Sequence, residues 1–151
     1  MSSPLIERLI DRHGCVLLDD ANYQTFVDQH DYVVLFCPND PVLFPESNDV
    51  AVILPELLHA FEQPLQAAVI GRNIERELQR RFRFTRWPAL VFLKHGGYLG
   101  ALTGIHNWHD YLTEGERILQ APVGDPPPFD LDKVCSGGID RERSLPNVSE
   151  R

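Results

Sequence analysis

A proline at the head of an uninterrupted apolar run constrains this chain more than any other feature. The run is Pro88-Ala89-Leu90-Val91-Phe92-Leu93, followed by Lys94-His95-Gly96-Gly97 and a second short run, Tyr98 to Thr103. Proline has no backbone donor, so it is tolerated at the first residue of a strand and not within one. Gly96 and Gly97 are suited to the positive φ angles of a tight hairpin. Pro88–Leu93 and Tyr98–Thr103 therefore read as an antiparallel hairpin. The first strand has no polar alternation, which fits a strand covered by helices on both faces.

The rest of the chain supplies elements on either side. Leu5, Ile6, Leu9 and Ile10 recur at helical spacing, so a helix is expected from Pro4 to Arg12, stopped by His13-Gly14. Cys15–Leu18 is a short apolar strand, and Asp19 or Asp20 offers a cap for a helix over Ala21–Gln29. Tyr32–Cys37, β-branched and aromatic without a charge, reads as a central strand. The segment from Pro38 to Asp49 is broken by three prolines and cannot be regular throughout. A helix over Val50–Phe61 contains Pro55, which implies a kink or a start nearer Leu54. Leu65–Gly71 is a strand, and Asn73 caps a helix with Ile74, Leu78 and Phe82 on one face. After Gly104 a last helix begins at His106 or Asn107, weakened at Gly115 by about 1 kcal/mol relative to alanine.

The order is α-β-α-β-α-β-α-β-β-α. A βαβ unit followed by ββα resembles the thioredoxin arrangement: an α/β fold with a central mixed sheet and helices on both faces. The resemblance runs from about Val16 to Leu119. It implies a cis peptide bond before Pro88, with Gly96 and Gly97 forming the hairpin turn. Residues 1–120 then form the domain. Residues 121–151, with Pro126-Pro127-Pro128 and Gly137-Gly138, form a flexible Pro-rich tail.

Composition narrows the function classes. The 151 residues fit one domain with no need of a metal or disulfide staple. A net charge of −8, from 14 basic and 22 acidic residues, argues against binding nucleic-acid backbones. No stretch of 18 apolar residues exists to insert in a membrane, and the start does not resemble a signal peptide. Cys15, Cys37 and Cys135 are odd in number and far apart, which points to a reducing cytoplasm.

Redox chemistry is where the thioredoxin resemblance fails. A dithiol enzyme has two cysteines three apart at the end of the second strand, the first activated by a helix N-terminus. Here that strand ends Phe36-Cys37-Pro38-Asn39-Asp40-Pro41, with one cysteine only. Dithiol exchange needs two sulfurs in one site. Cys37 reads as a small apolar side chain at the end of a buried strand, or alternatively as the thiol of a monothiol enzyme. Asp49, Glu56, His59, Glu75 and Glu77 include helix-spaced pairs, and His106 lies three residues from His109, but neither set supplies a full metal shell. No phosphate loop, nucleophile elbow or paired-carboxylate pattern is present. No cofactor, metal or enzymatic activity is therefore expected.

Two further segments carry a narrower resemblance. Arg81-Phe82, Pro88-Ala89 and the run Gly97-Tyr98-Leu99-Gly100-Ala101-Leu102-Thr103-Gly104-Ile105-His106-Asn107-Trp108 are similar to the hydrogenase-1 expression protein family, HyaE with its HupG and HoxO relatives. Asp40-Pro41 after the second strand, in place of a cysteine pair, is also similar. The resemblance implies a cytoplasmic maturation chaperone for an uptake [NiFe] hydrogenase. Such a protein would bind the twin-arginine signal peptide of the small-subunit precursor and delay export until assembly is complete, alongside other hydrogenase maturation proteins. Trp87, Pro88 and the Pro38–Pro41 loop would line a groove for an extended peptide, with Asp40, Glu46 and Asp49 meeting its arginines. A monothiol redox enzyme using Cys37 and a non-catalytic scaffold for folded hydrogenase subunits are the alternatives.

Overall fold

Among the described residues, five strands and five helices follow one another, with β4 and β5 consecutive. They are α1 (Pro4–His13), β1 (Val16–Leu18), α2 (Tyr23–Gln29), β2 (Tyr32–Cys37), α3 (Glu46–Ala60), β3 (Gln66–Ile70), α4 (Arg72–Phe82), β4 (Ala89–Lys94), β5 (Gly97–Thr103) and α5 (Trp108–Leu119). The computed structural model describes residues 3–127. The expected tail lies outside them from residue 128 onward.

The strands form one sheet in the order β1-β3-β2-β4-β5. β3 runs parallel to both β1 and β2, and β4 runs antiparallel to both β2 and β5, giving a mixed sheet. Alternation along β2 sorts the core into two layers. Val34 and Phe36 join Leu54, Leu57, Phe92, Tyr111 and Ile118 under α1, α3 and α5. Val33, Leu35 and Cys37 face the other way, with Phe26, Ile74, Leu78 and Val91 under α2 and α4. Both faces being covered explains why β2 and β4 carry no polar alternation.

Several boundaries differ from the sequence expectation, each for a local reason. α3 starts at Glu46, not Val50, because Pro45 takes the cap position and its fixed φ of −63° leads directly into a helix. Pro55 therefore lies inside α3 instead of opening it. α2 starts at Tyr23, with Asn22 at its cap position; Asp19 instead accepts the Ala21 and Asn22 N–H groups in the preceding turn. Gly71 caps α4, while the Asn73 side chain reaches across to Asp20.

The hairpin turn also differs. Its left-handed residues are His95 (φ 51°) and Gly96 (φ 80°), so Gly97 is not the second positive-φ position. Gly97 opens β5 and is small for another reason: a Cβ there would run into Val123. Gly124 donates to the Tyr98 carbonyl at 3.0 Å, so the chain after α5 returns to the sheet edge instead of leaving the domain at residue 120. A Cβ on Gly100 would lie 2.9 Å from Ile118 of α5. Gly97 and Gly100 are thus packing positions, whereas Gly104 takes a left-handed φ of 74°.

Candidate peptide-binding site

The loop after β2 carries no paired thiols and is built on backbone hydrogen bonds. Asn39 takes a left-handed conformation, φ 59°. The Asp40 carboxylate accepts the Val42 N–H at 2.9 Å, and its carbonyl accepts the N–H groups of Leu43 and Phe44 at 3.0 and 2.8 Å. This turn holds Val42 and Leu43 out in solvent while Phe44 turns back, its ring 6.5 Å from that of Trp87. The buried Ser47 hydroxyl donates to the Pro38 carbonyl, tying the loop to the start of α3.

Trp87 lies between two loops. The Trp87–Pro88 bond is cis, and the Trp87 ring packs edge-on against Phe84 at 5.0 Å. Gly104 donates to the Pro88 carbonyl at 2.8 Å and starts the loop to α5. The buried Tyr111 ring packs edge-on against His106, and its hydroxyl accepts the His106 N–H at 3.3 Å. Burial raises the Tyr111 pKa; the His106 N–H acts against the rise and the Asp49 charge adds to it.

Beneath the first loop sits Glu75, one of the helix-spaced acids of the sequence. Glu75 is 2% exposed. Its Oε2 accepts the Asn39 N–H at 2.7 Å and its Oε1 meets Arg72 Nε at 3.0 Å. Burial pushes its pKa up to about 7, with the Asn39 N–H and Arg72 acting against the rise. The signal was in the helix itself, since Glu75 adjoins Ile74 on the apolar stripe of Ile74, Leu78 and Phe82. Cys37, paired with Ala89 in the sheet, is wholly buried. Burial drives its pKa well above the usual thiol range, and the Glu75 charge adds to the effect.

A family model described as hydrogenase-1 expression protein HyaE matches residues 5–111. The chain belongs to the HyaE family. It is 39% identical over 135 residues to the hydrogenase expression/formation protein HoxO of Cupriavidus necator, spanning 88% of this chain and 84% of that one. HoxO of Azotobacter vinelandii is 43% identical over 127 residues, 84% of this chain and 85% of its own length. Among solved structures, oxidized mitochondrial thioredoxin 3 of Saccharomyces cerevisiae superposes with a TM-score of 0.53 at 16% identity. That match covers 70% of this chain and 95% of the thioredoxin, and at this identity it shows the thioredoxin-like fold alone.

This HyaE-family chain gathers some of the residues singled out from sequence and separates others. Pro88 is buried and Trp87 half-buried at the centre. Asp40 is half-buried, with one carboxylate oxygen committed to its own turn. Glu46 and Asp49 stand exposed in the first turn of α3. Among the described residues no three His, Cys, Asp or Glu side chains gather as a metal site. His106 Nε2 is bonded to the Thr103 carbonyl and His109 faces Thr113, so the two histidines serve separate contacts. No helix of the described residues is long and apolar enough to cross a membrane.

Proposed function

We propose that this chain is a cytoplasmic chaperone for maturation of an uptake [NiFe] hydrogenase. It binds the twin-arginine signal peptide of the small-subunit precursor and delays export until assembly is complete. Family membership supports the pathway, since the relatives are named for hydrogenase expression and formation. The observation that carries the binding reading is the surface where a redox relative would display its thiols. Here Cys37 is wholly buried, and the surface presents Trp87 with the acidic Asp40, Glu46 and Asp49. An extended peptide laid beside Pro88 would use backbone pairing for affinity and carboxylates for its arginines. The protein acts by binding and not by thiol chemistry, and its net charge of −8 favours a basic client.

The test is calorimetric titration with the small-subunit precursor, with and without its leader, at low and high salt. Binding that requires the leader and weakens with salt is the expected result. Equal affinity without the leader moves the contact to the folded subunit and makes the protein an assembly scaffold.

A further inference from the structure

Eight large apolar side chains are exposed among the described residues; three lie on the loops after β2 and β5, and a fourth, Trp108, opens the helix that follows the second loop. Val42 and Leu43 on the first loop are 85% and 69% exposed. Ile105 on the second loop and Trp108 at the start of α5 are 49% and 43% exposed. The Asp40 turn fixes the Val42-Leu43 tip from within, and Glu75 holds it at Asn39 from below. A loop held in one shape with an apolar tip in water gains nothing from packing, and such patches mark contact surfaces.

We infer that these four residues form an apolar ridge that takes the continuous apolar run of the leader, while the arginines preceding that run lie against the acids beside it. This rests on the leader-binding reading above and adds a second recognition element to it. Charge complementarity selects the occupant. Glu46 and Asp49 follow the Val42-Leu43 tip in α3, and Asp110 follows Trp108 in α5, so carboxylates border the ridge at both loops. The Arg86 guanidinium lies beside Gly104 at the second loop, which directs the basic segment to the Glu46 and Asp49 side; an apolar surface edged there by acid fits a peptide that is apolar in one segment and basic in the next.

Strand spacing sets the scale of the separation between the ends of the two strands that carry these loops. The loops follow β2 and β5, which stand two positions apart on either side of β4. At roughly 4.8 Å between strands the gap is about 10 Å. A signal-peptide apolar segment of about 7–15 residues, extended at about 3.3 Å per residue beside Pro88, spans roughly 23–50 Å, long enough to reach both loops.

The inference is tested by titrating two synthetic leaders: the natural one, and one whose apolar run is replaced by serine with both arginines kept. The proteins are wild type, V42S/L43S and I105S/W108S, each checked for unchanged thermal unfolding, since all four side chains are exposed. Each double variant should bind the natural leader about tenfold more weakly, or about 1.4 kcal/mol, and the serine leader as wild type does. Unchanged affinity for the natural leader in either variant overturns the ridge, as does an equal loss for both leaders. A wild-type protein that binds neither leader brings down the leader-binding reading and the ridge with it.

Discussion

Glu75 Oε2 accepts the Asn39 backbone N–H at 2.7 Å, so a helix 36 residues further along the chain holds the loop that ends β2. The carboxylate is buried, and Arg72, itself half-exposed, is its counter-charge at 3.0 Å. A redox thioredoxin would display its thiols on this loop. Here the loop is held by a hydrogen bond from below.

Burial of that carboxylate makes stability depend on pH. The native pKa of Glu75, about 7, lies above the ordinary value of 4.5, so the folded state holds an extra proton between those values. The stability contribution is fully present below about pH 4.5 and is lost as pH rises through about 7. In Glu75→Gln this slope disappears. Urea unfolding should show the variant gaining about 2 kcal/mol on wild type between about pH 5 and about pH 8; parallel pH profiles would show that Glu75 is ionised throughout.

Gly115 sets helix propensity against packing. Alanine there would favour α5 by about 1 kcal/mol, yet its Cβ would run into the buried Phe61 ring, which packs edge-on against Phe92 at 6.3 Å. Overpacking of this kind costs about 1–3 kcal/mol. Gly115→Ala should therefore lower the unfolding midpoint. A raised midpoint would mean that Phe61 gives way freely.

Thiol reactivity separates binding from redox chemistry. Cys37 is wholly buried, and burial pushes the pKa of Cys15 up to about 11. Iodoacetamide at neutral pH should leave both unmodified in the native protein, and mass spectrometry should find them labelled only in denaturant. Rapid native labelling at Cys37 would favour the monothiol enzyme.

Glu46 and Asp49 are exposed at the start of α3, whereas Asp40 spends one oxygen on its turn. Exposed charges of this kind contribute roughly 0.2–1 kcal/mol each. E46Q/D49N should bind the leader about threefold to tenfold more weakly at low salt and flatten the salt dependence. D40N keeps the turn acceptor and should preserve the loop. Unchanged low-salt affinity in E46Q/D49N would place the arginines elsewhere.

The local order of the chain determined much of the fold. Proline before an apolar run, helical spacing of Leu5, Leu9, Ile74 and Leu78, and the His95–Gly97 turn are interactions between near neighbours, legible without coordinates. The family resemblance was likewise written in the Gly97–Trp108 run, although the packing against Val123 and Ile118 that requires its glycines was not. Tertiary structure decided the rest. Burial made Glu75 of α4 the support of a loop 36 positions away, and closed Cys37 inside the sheet. It also set Val42 and Ile105 on either side of Trp87, because β2 and β5 are brought beside β4 by strand pairing. Spacing along the chain fixes what a residue's neighbours are within a turn or a strand; solvent exclusion and charge pairing depend on distance in space.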